Sequence, residues 1–167
     1  MKDAAARFEV FLRKRGLRLT KQRAEILDAI FATHKHVTAD DLYELLRQRP
    51  AADALRISRA TVYRTLTLLE EGGFIQGLDL GREGGMLYEH VLGHEHHDHM
   101  VCLVCSKIIE FHDDDLEAVQ EAAVQRHGFR AESHRLNVYG TCARCLAKEA
   151  EGLDGEDDDT DADEVGA

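Results

Sequence analysis

Two Cys-x-x-Cys pairs place the strongest constraint on how this chain can fold. Cys102 and Cys105 form the first pair, Cys142 and Cys145 form the second, and 36 residues lie between the pairs. Four thiolates suit a closed tetrahedral zinc site, which leaves no coordination position for a substrate. We therefore expect the spacer to bring its two ends together around one structural Zn²⁺ ion.

A redox motif or a set of buried free thiols is the alternative for these cysteines. A redox Cys-x-x-Cys opens a helix, whereas the hydrophobic pattern predicts both pairs at strand ends and turns. The chain starts with closely spaced charges, and no segment approaches the roughly 20 apolar residues that span a bilayer. These features predict a cytoplasmic protein with no membrane partner, in which disulfides are rare and metal ligation is favoured.

The front half has the element order of a winged helix-turn-helix. One amphipathic helix is predicted over 5–15, and three more follow the capping residues Thr20, Thr38 and Ser58. Gly72 and Gly73 end the last of these helices. Two strand-like runs follow at 74–80 and 86–89, with a glycine-rich turn between them.

The back half predicts a small α/β unit. Strands are expected over 99–104, 107–111 and 129–139, and a helix over 116–127. A sheet of this size has unpaired edges, so pairing with a second copy of the chain is expected. The resulting class is α+β: a winged-helix domain at 1–84, a hinge at 85–95, an α/β dimerisation and metal-binding domain at 96–148, and a disordered acidic tail at 149–167.

Charge divides the chain in the same way. The net charge is −11, but residues 149–167 hold ten Asp or Glu and no Lys or Arg. Residues 1–82 hold 15 Lys or Arg against 11 Asp or Glu, whereas residues 83–148 hold 6 against 11. Only the front half therefore has the sign that phosphate contacts need.

The third capped helix of the front half is the predicted recognition helix. If Val62, Leu66 and Leu69 face the core, polar and aromatic side chains suited to base edges and phosphates face outward. Cations near the start of an earlier helix suit backbone phosphates. The predicted DNA-binding residues are Arg18, Lys21, Arg23, Arg59, Thr61, Tyr63 and Arg64.

The run His96-His97-Asp98-His99 precedes the first cysteine pair. In an extended strand, His97 and His99 point to one side, and His96 and Asp98 to the other. One tetrapeptide can thus supply two ligands to each of two metal sites. Imidazole with carboxylate suits Fe, Mn, Zn, Co or Ni, and spacing alone does not identify the remaining ligands.

Together these segments resemble the ferric uptake regulator family of bacterial metalloregulators. The resemblance runs over roughly residues 7–146 and depends on motifs in a fixed order. They are Gly16–Arg23, His36–Tyr43, Ala60–Arg64, His96–His99, Cys102–Cys105, Lys107–Phe111 and Cys142–Cys145. Ser106 departs from the family pattern, because Gly is usual there, and one residue inserted between Glu89 and His96 bears on the alignment of Glu89.

The resemblance implies the ligand sets and the partners. A regulatory site between the domains would use His36, Glu89, His97, His99 and Glu110. A second site would use His96, Asp98, Glu117 and His134, and the four cysteines would hold structural Zn²⁺. The regulatory metal would be Fe²⁺, with Zn²⁺ or Mn²⁺ as alternatives, and a homodimer would bind an A/T-rich inverted repeat of double-stranded DNA.

The expected function is therefore a metal-responsive repressor of metal-uptake genes and not an enzyme. Peroxide sensing fits less well, because such sensors usually carry Asp where this chain has Glu110. A zinc-dependent hydrolase built on His96, Asp98 and His99 would need an open metal position and a substrate cleft, and it leaves the basic front half without a role. A metal-storage protein would bind metal with no effect on DNA binding.

Overall fold

The protein divides into two compact units, residues 1–95 and residues 96–167. A computed structural model describes residues 2–33, 35–50, 54–80, 85–93 and 96–152. The predicted turn at 81–85 therefore lies almost wholly outside the described residues, as does the acidic tail beyond residue 152. None of the helices in the described ranges is long and apolar enough to cross a membrane.

Four helices of the first unit lie wholly within the described residues, and side-chain caps set the starts of three of them. They are α1 (Lys2–Lys14), α2 (Lys21–Phe31), α3 (Ala39–Arg47) and α4 (Arg59–Glu71). Thr20, Thr38 and Ser58 each accept a hydrogen bond from the backbone N–H three residues on, and Asp41 completes a capping box with Thr38. Gly73, at φ 69°, takes the left-handed conformation that ends α4.

These helices pack on a small antiparallel sheet. Its strands are β1 (Val37–Thr38), β2 (Ile75–Asp79) and β3 (Met86–His90), in the order β1-β3-β2. The core contains Phe8, Leu12, Leu42, Leu66 and Ile75, each at most 1% exposed. This arrangement is a winged helix. The predicted hinge at 85–95 thus begins with a strand of the first unit, because β3 forms ladders with both β1 and β2.

The described residues of the second unit form a three-stranded sheet and two helices. The strands are β4 (Asp98–Cys102), β5 (Ile108–Phe111) and β6 (Asn137–Gly140), in the order β5-β4-β6. β4 is antiparallel to β5 and parallel to β6. The helices are α5 (Asp114–Arg126), capped by Asp113, and α6 (Ala143–Ala150).

Three expectations for this unit were wrong in detail. The strand predicted over 129–139 is confined to β6, because the preceding residues loop from α5 back to the sheet. The second Cys-x-x-Cys lies at a helix start and not at a turn, since Cys142 is the N-cap of α6. The same helix includes Glu149 and Ala150, so the predicted disordered tail does not begin at 149. The α+β class is confirmed.

Candidate metal centres and nucleic-acid interface

The four cysteines converge at one end of the second unit. The Sγ atoms of Cys102 and Cys145 are 3.9 Å apart, and those of Cys105 and Cys142 are 3.7 Å apart. All four sulfurs lie within 4.8 Å of one another. A tetrahedral Zn²⁺ with Zn–S bonds near 2.3 Å separates its sulfurs by roughly 3.8 Å. The donor set and its spacing therefore fit a closed zinc site.

Local backbone geometry explains how these sulfurs meet. The turn after β4 reverses the chain at Ser106, whose φ of 56° is a conformation that glycine adopts more easily. Leu103 N–H donates to the Gly140 carbonyl at 2.8 Å, which ties the first cysteine turn to the end of β6. Since α6 follows directly, both cysteine pairs share one end of the sheet.

The electrostatic environment favours a thiolate at Cys102. Burial alone would raise the pKa of Cys102, but backbone N–H donors from Cys142, Cys105 and Val104 lower it to about 6. The Cys142 N–H is 3.3 Å from the Cys102 Sγ. Burial and hydrogen bonds from neighbouring thiols raise the pKa of Cys145 to about 12. A metal ion would supply the positive charge that holds all four sulfurs as thiolates.

A second ligand cluster lies where α5 meets the start of β4. Glu117 Oε1 is 3.3 Å from His96 Nε2 and 3.2 Å from His134 Nε2. His96 Nε2 is also 3.5 Å from Asp98 Oδ1. Asp98 is 2% exposed, and its Oδ1 accepts a hydrogen bond from the Leu136 N–H, which orients the carboxylate. Tetrahedral ligands at 2.0–2.1 Å from a metal are roughly 3.4 Å apart, so this set also fits an ion.

The other side of β4 carries a different set of ligands. The rings of His97 and His99 are 4.9 Å apart, and His97 Nε2 is 3.9 Å from Glu110 Oε2. His99 and Glu110 are direct cross-strand partners of the β4–β5 ladder, and His99 is fully buried. The alternation expected for the His96–His99 run is therefore the arrangement observed.

The first unit holds a ligand pair of its own. His36 Nε2 is 3.3 Å from Glu89 Oε2, and both side chains are mostly buried, at 14% and 12% exposure. His36 immediately precedes β1 and Glu89 lies in β3. Because Val37 pairs with Tyr88, the antiparallel register places residue 36 opposite residue 89. The winged-helix unit thus carries one imidazole and one carboxylate, close together, that can act as metal ligands.

The predicted recognition helix is α4. As expected, one of its faces is apolar and buried, and the other is exposed. Val62, Leu66 and Leu69 are at most 1% exposed, whereas Tyr63 is 48% exposed and Arg64 lies on the surface. The Arg64 Nε donates to the Ala60 carbonyl at 3.0 Å. Thr61 is partly buried near the helix start. Tyr63 and Arg64 are therefore presented side by side on the solvent face.

The three cations predicted near α2 lie at the start of that helix and in the segment just before it. Lys21 is its first residue and is exposed, as is Arg18 in the preceding segment. Arg23 is partly buried and donates from its guanidinium to the Arg18 carbonyl at 2.6 Å. The Arg23 side chain is thus bonded to the backbone of the segment before α2, while the side chains of Arg18 and Lys21 remain exposed.

Arg59 has a different environment from the other predicted DNA-binding residues. Its guanidinium pairs with Asp40 and, at 3.4 Å, with Glu44, both on α3. It also lies over the Tyr43 ring, 4.8 Å from the centroid. Sequence reasoning missed this cluster. The sequence shows that Asp40 and Glu44 are spaced i, i+4, but it does not show that α4 packs against α3.

The sequence model described as "Ferric uptake regulator family" matches residues 14–139, which is most of the chain. This chain belongs to that family. The resemblance inferred from the motifs is confirmed. The ferric uptake regulation protein of Campylobacter jejuni is 39% identical over 144 residues, covering 86% of this chain and 89% of the relative.

Solved structures of the family share the fold. The Helicobacter pylori ferric uptake regulator matches with a TM-score of 0.70 at 31% identity, over 87% of this chain and 93% of that one; it is described as having three functional metal-binding sites. The Francisella tularensis regulator, described with iron, matches with a TM-score of 0.60 at 35% identity, over 78% and 96%. Ferric uptake regulators have an N-terminal winged-helix DNA-binding domain and a C-terminal dimerisation domain.

As a ferric uptake regulator family member, the protein is a transcriptional regulator and not an enzyme. Regulators of this family bind DNA and are dimeric. The second unit has a surface suited to self-association: Met100, Ile109 and Val138 are aligned across its three strands and are 41%, 42% and 45% exposed. Similar structures include iron, zinc, manganese and peroxide regulators, so family membership leaves the signal open.

Proposed function

We propose that this protein is an iron-responsive repressor of metal-uptake genes, activated for operator binding by a divalent metal. The observation that carries the proposal is the His36–Glu89 pair, because it places metal ligands on the unit that contains the recognition helix. One imidazole and one carboxylate are too few to complete a site. The second unit offers His97, His99 and Glu110 on one face of β4 and β5.

We assign these five residues to one shared regulatory site. When bound, the metal would link ligands of the winged-helix unit to ligands of the dimerisation unit. His36 and Glu89 are held by the β1–β3 ladder, and His99 and Glu110 by the β4–β5 ladder, so each half is preorganised by its own sheet. Linking the halves would favour one arrangement of the winged helices, and a differential affinity of about 1–3 kcal/mol is enough for a useful switch.

The other two clusters have separate roles in this proposal. The cysteines hold Zn²⁺ that stabilises the second unit, since four thiolates leave no open position. His96, Asp98, Glu117 and His134 form a second divalent-metal site. The proposed occupancy agrees with the three metal sites described for the Helicobacter pylori regulator.

Iron is the first choice for the regulatory metal, because the donor set mixes imidazole with carboxylate and contains no thiolate. Curated relatives such as the Campylobacter jejuni protein are named ferric uptake regulation proteins, and the Francisella tularensis structure is described with iron. Zinc or manganese sensing is the second candidate, because the same donors accept these ions. Metal analysis of protein purified from its own host, with DNA binding measured for each metal, distinguishes these signals.

For DNA recognition we assign Tyr63 and Arg64 to the major groove and Arg18 to the neighbouring minor groove. Lys21 and Arg23, at the start of α2, would approach backbone phosphates. A dimer presents two such helices, which suits an A/T-rich inverted repeat.

The test is a His36→Ala variant with His112→Ala as the matched control. His112 is exposed and pairs with Asp114 outside the ligand clusters. We expect His36→Ala to lose metal-activated binding in an anaerobic gel-shift titration with Fe²⁺ or Mn²⁺, while the zinc content stays that of the wild type. Full metal-activated DNA binding by His36→Ala would overturn the proposal.

A further inference from the structure

We propose that Arg59 supports operator binding by neutralising and holding Asp40 and Glu44, and not by contacting DNA itself. This inference rests on the proposed function, because it concerns how the helix-turn-helix is kept ready for the operator. It assigns a positioning role to a residue that the sequence pattern placed among the DNA contacts.

Three side chains of α3 contact the Arg59 guanidinium. Asp40 and Glu44 are one helical turn apart and present their carboxylates on the same face of that helix. The Arg59 guanidinium pairs with both carboxylates and lies over the Tyr43 ring. Arg59 is the first residue of α4, directly after its N-cap Ser58. The contact therefore joins the start of the recognition helix to α3.

Charge gives this contact a consequence for DNA binding. The N-terminal part of a recognition helix approaches base edges, with phosphates close by. Asp40 and Glu44 thus put two negative charges next to the end of α4 that should face the operator. Their side chains are each 52% exposed, so solvent screens but does not remove their repulsion of phosphates. Arg59 offsets one of these charges and spreads its own over both carboxylates.

A direct contact between Arg59 and DNA would require this arrangement to be broken. If the guanidinium moved to a phosphate, both carboxylates would remain uncompensated beside the operator. The planar guanidinium also matches its present partners, because it can bind carboxylates through several N–H groups while stacking on an aromatic face. Tyr63 and Arg64, by contrast, are exposed on the same helix, and the Arg64 Nε donates to the Ala60 carbonyl.

A double-mutant cycle tests the proposal. The proteins are the wild type, Arg59→Gln, Asp40→Asn with Glu44→Gln, and the variant that carries all three changes. Each is loaded with Zn²⁺ and Mn²⁺ and titrated against a duplex selected by the wild type from a random-sequence pool. We expect Arg59→Gln to lose about tenfold in affinity when both acids are present and less than threefold when both are amides, a coupling of the size found between contacting residues.

The sign of this coupling decides between the two roles of Arg59. Under the proposal, the amide substitutions restore binding in the Arg59→Gln background and change little in the wild type. If Arg59 bound DNA, removing its competing carboxylates would improve binding only when Arg59 is present. The loss on Arg59→Gln would then be equal or larger with the amides, and that result overturns the inference.

Two further measurements separate a loss of folding from a loss of operator binding. Thermal unfolding and zinc content of each variant identify any loss of folding, which would lower binding in both backgrounds and leave no rescue. Failure of the wild type itself to bind any duplex in a metal-dependent way would overturn the proposed function. A wild type that binds, combined with the wrong sign of coupling, overturns only the role of Arg59.

Discussion

The Sγ atoms of Cys105 and Cys142 lie 3.7 Å apart although 37 positions separate the two residues. A strand, a helix and a second strand lie between them, so this contact joins the turn after β4 to the start of α6. A bound Zn²⁺ would therefore act as a long-range cross-link as well as a local one. Its removal should affect the whole unit.

We expect Cys142→Ala to abolish stoichiometric zinc binding and to lower the stability of the second unit by more than about 3 kcal/mol. Mass-spectrometric metal analysis and thermal unfolding measure the two effects. Thr141→Ala is the matched control, because Thr141 is the exposed neighbour of this cysteine. Retention of a full equivalent of zinc by Cys142→Ala would contradict the assignment of the cluster.

In the second metal cluster, one carboxylate lies close to both histidines. Glu117 lies within 3.3 Å of both His96 and His134, so Glu117→Gln should weaken divalent-metal binding there by about tenfold or more, since even supporting residues of metal sites contribute that much. Cobalt titration of the zinc-loaded protein, followed by absorption and calorimetry, measures the change. The control is Glu121→Gln, one turn further along α5, where the side chain pairs with Gln125. Equal cobalt affinity in both variants would count against the site.

Arg64 should contribute to operator binding directly, because its side chain is exposed on α4 beside Tyr63. We expect Arg64→Ala to cost about 1–3 kcal/mol of binding free energy while metal content is unchanged. Fluorescence anisotropy at several salt concentrations measures the affinity and its salt dependence. Arg130→Ala removes the same charge from an exposed position in the second unit and should leave binding intact. A loss of equal size in both variants would show a general charge effect and not a contact.

Tyr88 should make the stability of the first unit sensitive to high pH. Burial raises the pKa of Tyr88, and the charges of Glu70 and Tyr63 add to this effect. The folded state therefore favours the neutral phenol, while the unfolded chain ionises at its ordinary pKa of about 10. This contribution is complete below pH 10 and is lost as the pH rises toward the higher folded-state pKa.

The variant for this test is Tyr88→Phe, which should show a shallower loss of stability above pH 10 in urea unfolding followed by circular dichroism. Tyr139→Phe is the control, because Tyr139 is 42% exposed in the second unit. Identical pH profiles for Tyr88→Phe and the wild type would rule out the effect.

Local signals in the sequence predicted much of the fold. Thr20, Thr38 and Ser58 cap their helices as expected, because capping depends only on a side chain and the next three backbone N–H groups. The residues before β6 were assigned wrongly to a strand, because their apolar spacing does not show whether a neighbouring strand is available to pair with them. The second cysteine pair was misplaced because α6 is only eight residues long and its N-cap, Cys142, makes no side-chain capping hydrogen bond.

The sequence by itself determined which chemistry the protein carries: thiolates in two pairs, imidazoles and a carboxylate alternating along β4, and a cationic front half. These properties follow from residue type and from the period of a strand, which do not depend on the rest of the chain. Only the tertiary structure decided which distant groups meet. Glu117 and His134 reach His96, and Asp40 and Glu44 reach Arg59, because helices and strands far apart in sequence pack together. Spacing along a chain does not encode those contacts.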